Sequence, residues 1–342
     1  MRVFVEGAGV VTVAGSSLPG IWEAVHARRE CSICTQEAGG GEWPLLRVPE
    51  EILGSLASVQ RLRRSGRVSL LATAAAQQAV LAANLPEDAM RDVPVVFVTS
   101  DGGVTYSRRF FQGLIGSGPG SGSPLLFPET VYNAPASHVA ALLGTNAESL
   151  TLVGDATAAV GALARASAML DANETSRVLV VAANEADPVA CAGYAQWGMV
   201  RGPKGMGNVL ADCGAAILLG RGQGWVQVSH LTEARPLADV GRLAEALREL
   251  RLAGACRSGD WRAVACGASP WESLEAGSFA DTQAVNFKPV LGESFAAGVL
   301  SWVALLAWRL TQPSHPEGAF VPAASFSGSL AALRLTCNKT KG

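Results

Sequence analysis

Along most of the chain, short runs of Val, Ile, Leu and Phe alternate with longer Ala- and Leu-rich stretches in which apolar residues recur every three or four positions. The short runs, where Gly, Pro, Asn or Asp bounds them, predict strands over residues 2–6, 93–99, 149–153, 177–182, 214–219, 225–230, 262–266 and 333–337. The longer ones predict helices over 18–27, 67–83, 134–143, 157–170, 237–252 and 295–310. Strands and helices alternating in this way predict an α/β layered protein. Helices 157–170 and 295–310 are apolar nearly all the way round, which only a helix covered on every side tolerates. The fold therefore has an inner layer.

Those two helices begin alike. Gly154-Asp155-Ala156-Thr157-Ala158-Ala159 and Gly292-Glu293-Ser294-Phe295-Ala296-Ala297 share the order Gly, acid, two free positions, Ala, Ala. The same opening at corresponding points predicts a duplicated unit, with halves 1–220 and 221–342 packed intimately together. The boundary falls where Gly220-Arg-Gly-Gln-Gly224 punctuates the chain.

Composition narrows the function classes. Charged residues are 16% and hydrophobic residues 49% of the chain, which demands a large core and excludes global disorder. Against 29 Asp+Glu stand 27 Lys+Arg, a formal charge of −2, which excludes the concentrated basic footprint of a nucleic-acid binder. Glu6 breaks the first apolar run, so export is not expected. The apolar stretch 295–308 falls short of the roughly 20 residues of a membrane span and reads as a core helix. Seven cysteines, an odd number in a chain too long to need staples, suit a reducing cytoplasm.

Several short motifs lose their chemistry in context. Cys31-Ser-Ile-Cys34 has no second pair at zinc spacing, so it reads as ordinary loop cysteines. Gly7-Ala-Gly9 follows a predicted strand, but Thr12 replaces the third glycine of a dinucleotide fingerprint. The stretch 116–123, Gly-Ser-Gly-Pro-Gly-Ser-Gly-Ser, reads as a surface loop with no Walker lysine. Cys213 reads as packing in a small-residue turn, and His138 as structural. No cofactor and no metal are expected. The basic turn from Arg61 to Arg67 reads as a solvated face or a docking site for an acidic carrier protein.

Several of these segments, in order and nearly end to end, resemble the ketosynthase branch of the thiolase superfamily. Residues 2–12 are similar to its opening strand and turn, with Trp22 in the first helix, and Arg63-Arg64-Ser-Gly-Arg67 to its basic turn. Phe127-Pro-Glu-Thr-Val-Tyr-Asn-Ala-Pro-Ala-Ser-His-Val-Ala-Ala-Leu-Leu-Gly144 is the most specific piece. Arg177-Val-Leu-Val-Val-Ala-Ala-Asn-Glu185 resembles a strand that ends in a family glutamate. The resemblance implies a thiolase-like duplicated α-β-α-β-α fold, two sheets, and two buried central helices. It further implies a nucleophilic Cys at the mouth of the first buried helix, whose dipole favours thiolate, and two histidines that assist decarboxylation.

At those positions the side chains differ. Alignment on Ala162-Leu163 places Ala156 at the nucleophile. The His-Gly-Thr-Gly-Thr loop of the family becomes Cys266-Gly-Ala-Ser-Pro270, with Cys266 at the first histidine. Lys288-Pro-Val-Leu-Gly-Glu293 retains the lysine and substitutes Glu293 for the second histidine, and the Gly-rich gate is reduced to Phe326-Ser-Gly-Ser329. Cys266, Glu293 and Lys288 read either as a displaced catalytic cluster or as replacement packing in a silent site.

Three losses inside otherwise matching motifs are similar to chain-length factors, the β subunits of type II polyketide ketosynthases. The short chain and Ala156 resemble the compact partners of aryl polyene and other highly reducing systems. That resemblance implies a non-catalytic subunit that heterodimerises with an active ketosynthase α subunit and shapes its acyl tunnel. Acyl carrier protein would be met mainly through the partner. Tyr106, Phe110, Phe111 and Leu114 match the segment that reaches toward the partner's tunnel, with Arg108 and Arg109 in solvent. The strand 149–153, with Leu150 and Leu152, matches the one that pairs across the dimer. Two alternatives stay open: an acyltransferase or condensing enzyme using a relocated nucleophile such as Cys266, and a homodimeric acyl-binding protein.

Overall fold

A computed structural model describes residues 2–57, 59–86, 88–237, 239–266 and 271–337. Ten strands make the main sheet: β1 (Val3–Thr12), β2 (Val95–Thr99), β3 (Ser149–Val153), β4 (Arg177–Asn184), β5 (Cys213–Gly220), β6 (Val226–Leu231), β7 (Trp261–Ala263), β8 (Gln283–Val285), β9 (Gly318–Ala324) and β10 (Ser329–Cys337). They lie in the order β8-β7-β9-β10-β6-β1-β5-β4-β2-β3, with the two-residue strand Arg235–Pro236 added to β10. From β1 outward the pairings run antiparallel to β5, antiparallel to β4, parallel to β2 and parallel to β3. From β6 outward they run antiparallel to β10, antiparallel to β9, parallel to β7 and parallel to β8. One topology is thus used twice.

The two sets were expected as separate sheets, and they join edge to edge instead. β1 pairs through Phe4–Thr12 with β5 on one side and through Val3–Val5 with β6 on the other. Gly7 and Gly9 lie inside this strand, not after it.

The helices that matter here are α1 (Leu18–His26), α2 (Arg67–Ala82), α3 (Val104–Ser117), α4 (Ala134–Leu143), α5 (Ala156–Asp171), α6 (Leu243–Ala253) and α7 (Phe295–Arg309). α5 sits between β3 and β4, and α7 between β8 and β9, so the two occupy equivalent places in the repeat. Alternation along each strand then builds the layers. Val96 and Val98 of β2 face the cluster formed by α5 and α7, whereas Val95 and Phe97 face α2. In the other set Ala319 and Val321 join the α5–α7 cluster, and Phe320 turns to α6. Each central helix is therefore covered by sheet and by its counterpart, as its all-round apolar sequence requires.

α2 lies unusually close to the sheet. A Cβ on Gly7 would sit 2.2 Å from the Ala79 carbonyl oxygen, and one on Gly9 2.2 Å from that of Ala75. These glycines let a helix backbone approach a strand, which accounts for the GxG without a nucleotide.

Candidate functional site

Both helix mouths carry an acid that does not cap its helix in the ordinary way. At α5, Asp155 occupies the N-cap, but its side chain reaches away: Oδ2 accepts from the Ser325 hydroxyl and, at 3.2 Å, from the Ser327 N–H. Two residues on, the Thr157 and Ser329 hydroxyls lie 3.1 Å apart. Between them Ala156 is 7% exposed. The helix dipole would favour an anion here, but a methyl group supplies none.

At α7, Glu293 Oε1 accepts from the Phe295 N–H at 2.9 Å, while Oε2 lies 2.7 Å from Lys288 Nζ. Lys288 also donates to the Ala265 carbonyl at 2.7 Å. Beside it, Glu275 pairs with Arg262 and accepts from the N–H groups of Ala265 at 3.0 Å and Cys266 at 2.7 Å. Burial, then the Glu275 carboxylate, hold the Cys266 thiol above its ordinary range, with Lys288 opposing them weakly. Cys266 and Lys288 line a cavity of about 210 Å³ together with Ala324, Ser325, Phe326 and Leu330. Cys266, Glu293 and the retained Lys288 therefore do converge, and residues 325–329 lie against the mouth of α5. Residues 267–270, which follow Cys266, lie outside the described residues.

An aromatic cluster links the mouth of α7 to the segment bonded at the mouth of α5. Phe295 meets Tyr194 at 4.6 Å and Phe326 at 5.8 Å between ring centroids, and the Tyr194 hydroxyl donates to Asp101 Oδ1. Burial raises the Asp101 carboxyl, and burial with the Asp101 charge raises the Tyr194 phenol. Sequence reasoning named Phe295 and Phe326 but missed Asp101, Tyr194 and the cluster itself, because nothing local links 101, 194, 295 and 326. Glu185, 1% exposed, is pushed up to about 7, first by burial, and its Oε1 accepts from the Thr105 N–H at 2.7 Å.

That bond anchors α3, whose side chains diverge. The Tyr106 hydroxyl donates to the Arg64 carbonyl at 2.8 Å. Phe110 packs against Phe127 at 5.7 Å, and Phe110 and Leu114 both face Gly122. Phe111 points outward, 57% exposed. Arg109 is exposed as expected, but Arg108 is not: its guanidinium pairs with Asp187 at 2.9 Å, which ties the helix to the loop after β4. β3 is the last strand of the sheet, with Leu150 and Leu152 packed on the core and Val153 54% exposed.

Three further expectations need correction. Arg67 is not solvated: its Nε donates to buried Asp212 at 2.7 Å, while Arg61 reaches the Ala141 carbonyl. Cys213 opens β5 and donates to the Ala297 carbonyl at 3.4 Å, so it packs in a strand and not a turn. The segment 116–123 holds the end of α3 and a 3-10 turn at Pro119–Ser121. His138 does prove structural, its Nε2 lying 2.6 Å from Glu129, whose carboxyl also accepts from the Gly66 N–H. Among the described residues no disulfide forms, no group of His, Cys, Asp and Glu is placed to hold a metal ion, and no helix is long and apolar enough to cross a membrane.

Comparison with known proteins places this geometry. Residues 46–242 match the family described as beta-ketoacyl synthase, N-terminal domain. No curated protein sequence matches the chain. Among solved structures, the AntDE:AntF complex, described as a type II PKS acyl-carrier protein with its ketosynthase bound to the hexaketide, superposes with a TM-score of 0.83 at 15% identity, over 98% of this chain and 99% of that one. The ishigamide ketosynthase/chain length factor gives 0.82 at 18% identity, over 98% and 99%. A beta-ketoacyl synthase from Burkholderia phymatum gives 0.82 at 15% identity, over 99% and 100%. At such identities these likenesses establish the thiolase-like fold.

Proposed function

Since the chain belongs to the β-ketoacyl synthase family, we propose that it is the family's scaffold kept without its chemistry: a chain-length-factor-like subunit that pairs with an active ketosynthase and shapes that partner's acyl tunnel. The observation that carries this reading is Ala156 at the mouth of the buried helix α5, where a thiolate would have to stand. A methyl group forms no thioester. The second-half positions support it, because Lys288 and Glu293 satisfy each other and Cys266 is held protonated by burial and Glu275. The partner performs the decarboxylative condensation on malonyl units delivered by acyl carrier protein. Two halves, 1–220 and 221–342, form one packed unit, and the short chain and Ala156 fit the aryl polyene or another highly reducing type of system. The protein works in the cytoplasm.

Purification from cells at native expression tests the pairing. A ketosynthase should copurify in equal amount, and the chain alone should gain no mass after incubation with acyl carrier protein thioesters. A stable acyl adduct on Cys266 would support the relocated-nucleophile enzyme instead, and recovery as a homodimer without any ketosynthase would support an acyl-binding protein.

A further inference from the structure

The loop that replaces the family's gate is bonded to both neighbours of Ala156. Asp155 Oδ2 accepts from the Ser325 hydroxyl and from the Ser327 N–H, and Thr157 Oγ1 meets Ser329 Oγ. Residues 155 and 157 thus hold one loop from two sides, about 170 positions away in sequence. Behind it Phe295, 1% exposed, packs between Tyr194, tilted against it, and Phe326, edge-on to it. Phe295 does so at φ +49, a conformation unfavourable for a bulky side chain, so the surrounding packing holds it there.

We infer that residues 325–329 form a latched cover over the mouth of α5, and that Phe295 is the wall that keeps acyl chains out of this subunit's own half-site. The inference rests on the proposed pairing with a ketosynthase and deepens it: exclusion from this half-site directs acyl thioesters to the partner's. The missing nucleophile removes reaction, whereas the cover and the wall remove occupancy. Loss of the nucleophile alone would leave a pocket that competes for acyl carrier protein cargo.

The cover makes a prediction that needs no partner. In the Ala156→Cys protein the introduced thiol is placed under the loop, and its alkylation by iodoacetamide is followed by peptide mass. It should react slowly, and adding Asp155→Ala should speed it by about tenfold or more, as expected when a locally closed segment opens. Alkylation at Cys31 and Cys256, distant in sequence, supplies the internal reference and should keep its rate. Where Asp155→Ala does not fold, Ser325→Gly removes the other half of the same bond. Adding Phe295→Gly, which suits the positive φ, should let the introduced thiol take an octanoyl group from octanoyl-pantetheine by thioester exchange, with pantetheine released. Equal alkylation rates with and without the latch overturn the cover. Octanoyl transfer to the introduced thiol with Phe295 still in place overturns the wall. If both hold but no ketosynthase copurifies, the closure stands and the pairing falls.

Discussion

Lys288 Nζ and Glu293 Oε2 lie 2.7 Å apart, both residues buried, in an ionic contact with no aligned donor on that oxygen. The cation and the acid here spend their charge on each other. Lys288 completes its shell with the Ala265 carbonyl, and Glu293 with the Phe295 N–H. Breaking a buried pair strands a charge, which costs about 3–5 kcal/mol, whereas replacing both members is often nearly neutral.

Glu293→Gln should therefore destabilise the chain by about 3–5 kcal/mol, because it leaves the Lys288 ammonium without a counter-charge. Lys288→Met together with Glu293→Gln should recover most of that loss, since the amide oxygen still accepts from Phe295. Urea unfolding of the single and double variants measures both values. A double variant no more stable than Glu293→Gln would show that the ammonium is not what makes the single change costly.

Glu185 gives stability a pH dependence with a definite sign. Its folded value of about 7, raised by burial, stands above the ordinary 4.5, so between those values the folded chain holds a proton that the unfolded chain releases. The folded state is favoured by acid, and stability falls as pH rises from about 4.5 to 7, by on the order of 3 kcal/mol. Asp101, raised by burial too, adds a change of the same sign. Glu185→Gln should retain the bond from Thr105 and remove the larger part of this slope. Denaturation at pH 5 and pH 7.5 compares the two proteins; an unchanged slope in the variant would place the titration elsewhere.

What the sequence revealed and what it hid follow from one distinction. Local pattern sufficed where an element carries its own apolar period and its own punctuation: the strand Ser149-Leu-Thr-Leu-Val153 and the helix at 134–143 were read to the residue, and the two central helices to within one. β9 was missed because Pro322 and three alanines spoil its strand pattern, although it lies inside the sheet, paired with β10 and β7. The hairpin of Cys34–Ala38 and Gly41–Leu46 was missed because Glu37 and Glu42 pair at its polar end. Of the site, Ala156, Lys288 and Glu293 could be singled out because each lies in a short stretch that resembles a family motif. The contact of Asp155 with Ser325, and that of Tyr194 with Phe295, join residues far apart in the chain and leave no local signal.

The edge strand β3 gives a cleaner test of assembly than its leucines do. Gly154 N–H donates to the Thr99 carbonyl and Glu148 accepts from Val95, so the alternation of a parallel ladder leaves the Thr151 N–H on the open edge. Thr151→Pro should abolish pairing with the ketosynthase while the β2–β3 ladder survives, because proline removes only the outward donor. Leu152→Lys should act differently: Leu152 packs on the core, so it should lower stability as well as association. Sedimentation of the two complexes, with thermal unfolding of each chain alone, separates the effects. An intact Thr151→Pro complex would move the interface away from this edge.

α3 carries the test of product length. The sequence grouped Tyr106, Phe110, Phe111 and Leu114 as candidates on one helix, but only some of them are free to line a partner's tunnel. Tyr106 is committed to the Arg64 carbonyl, so Tyr106→Phe should leave products unchanged. Phe110 is half-buried between Phe111 and Phe127, at 5.7 Å from each ring. Phe111 is 57% exposed, so its truncation should cost the isolated chain well under the roughly 3–5 kcal/mol of a core Phe→Ala. Phe111→Ala should therefore keep the heterodimer folded and shift products toward longer acyl chains, since the lost ring opens volume where the tunnel ends. Phe110→Ala should do the same at a larger cost in stability, because its ring also supports Phe127. Mass analysis of carrier-bound products from the reconstituted pair measures the shift. Unchanged length in both variants, folded and paired, would remove α3 from the gate.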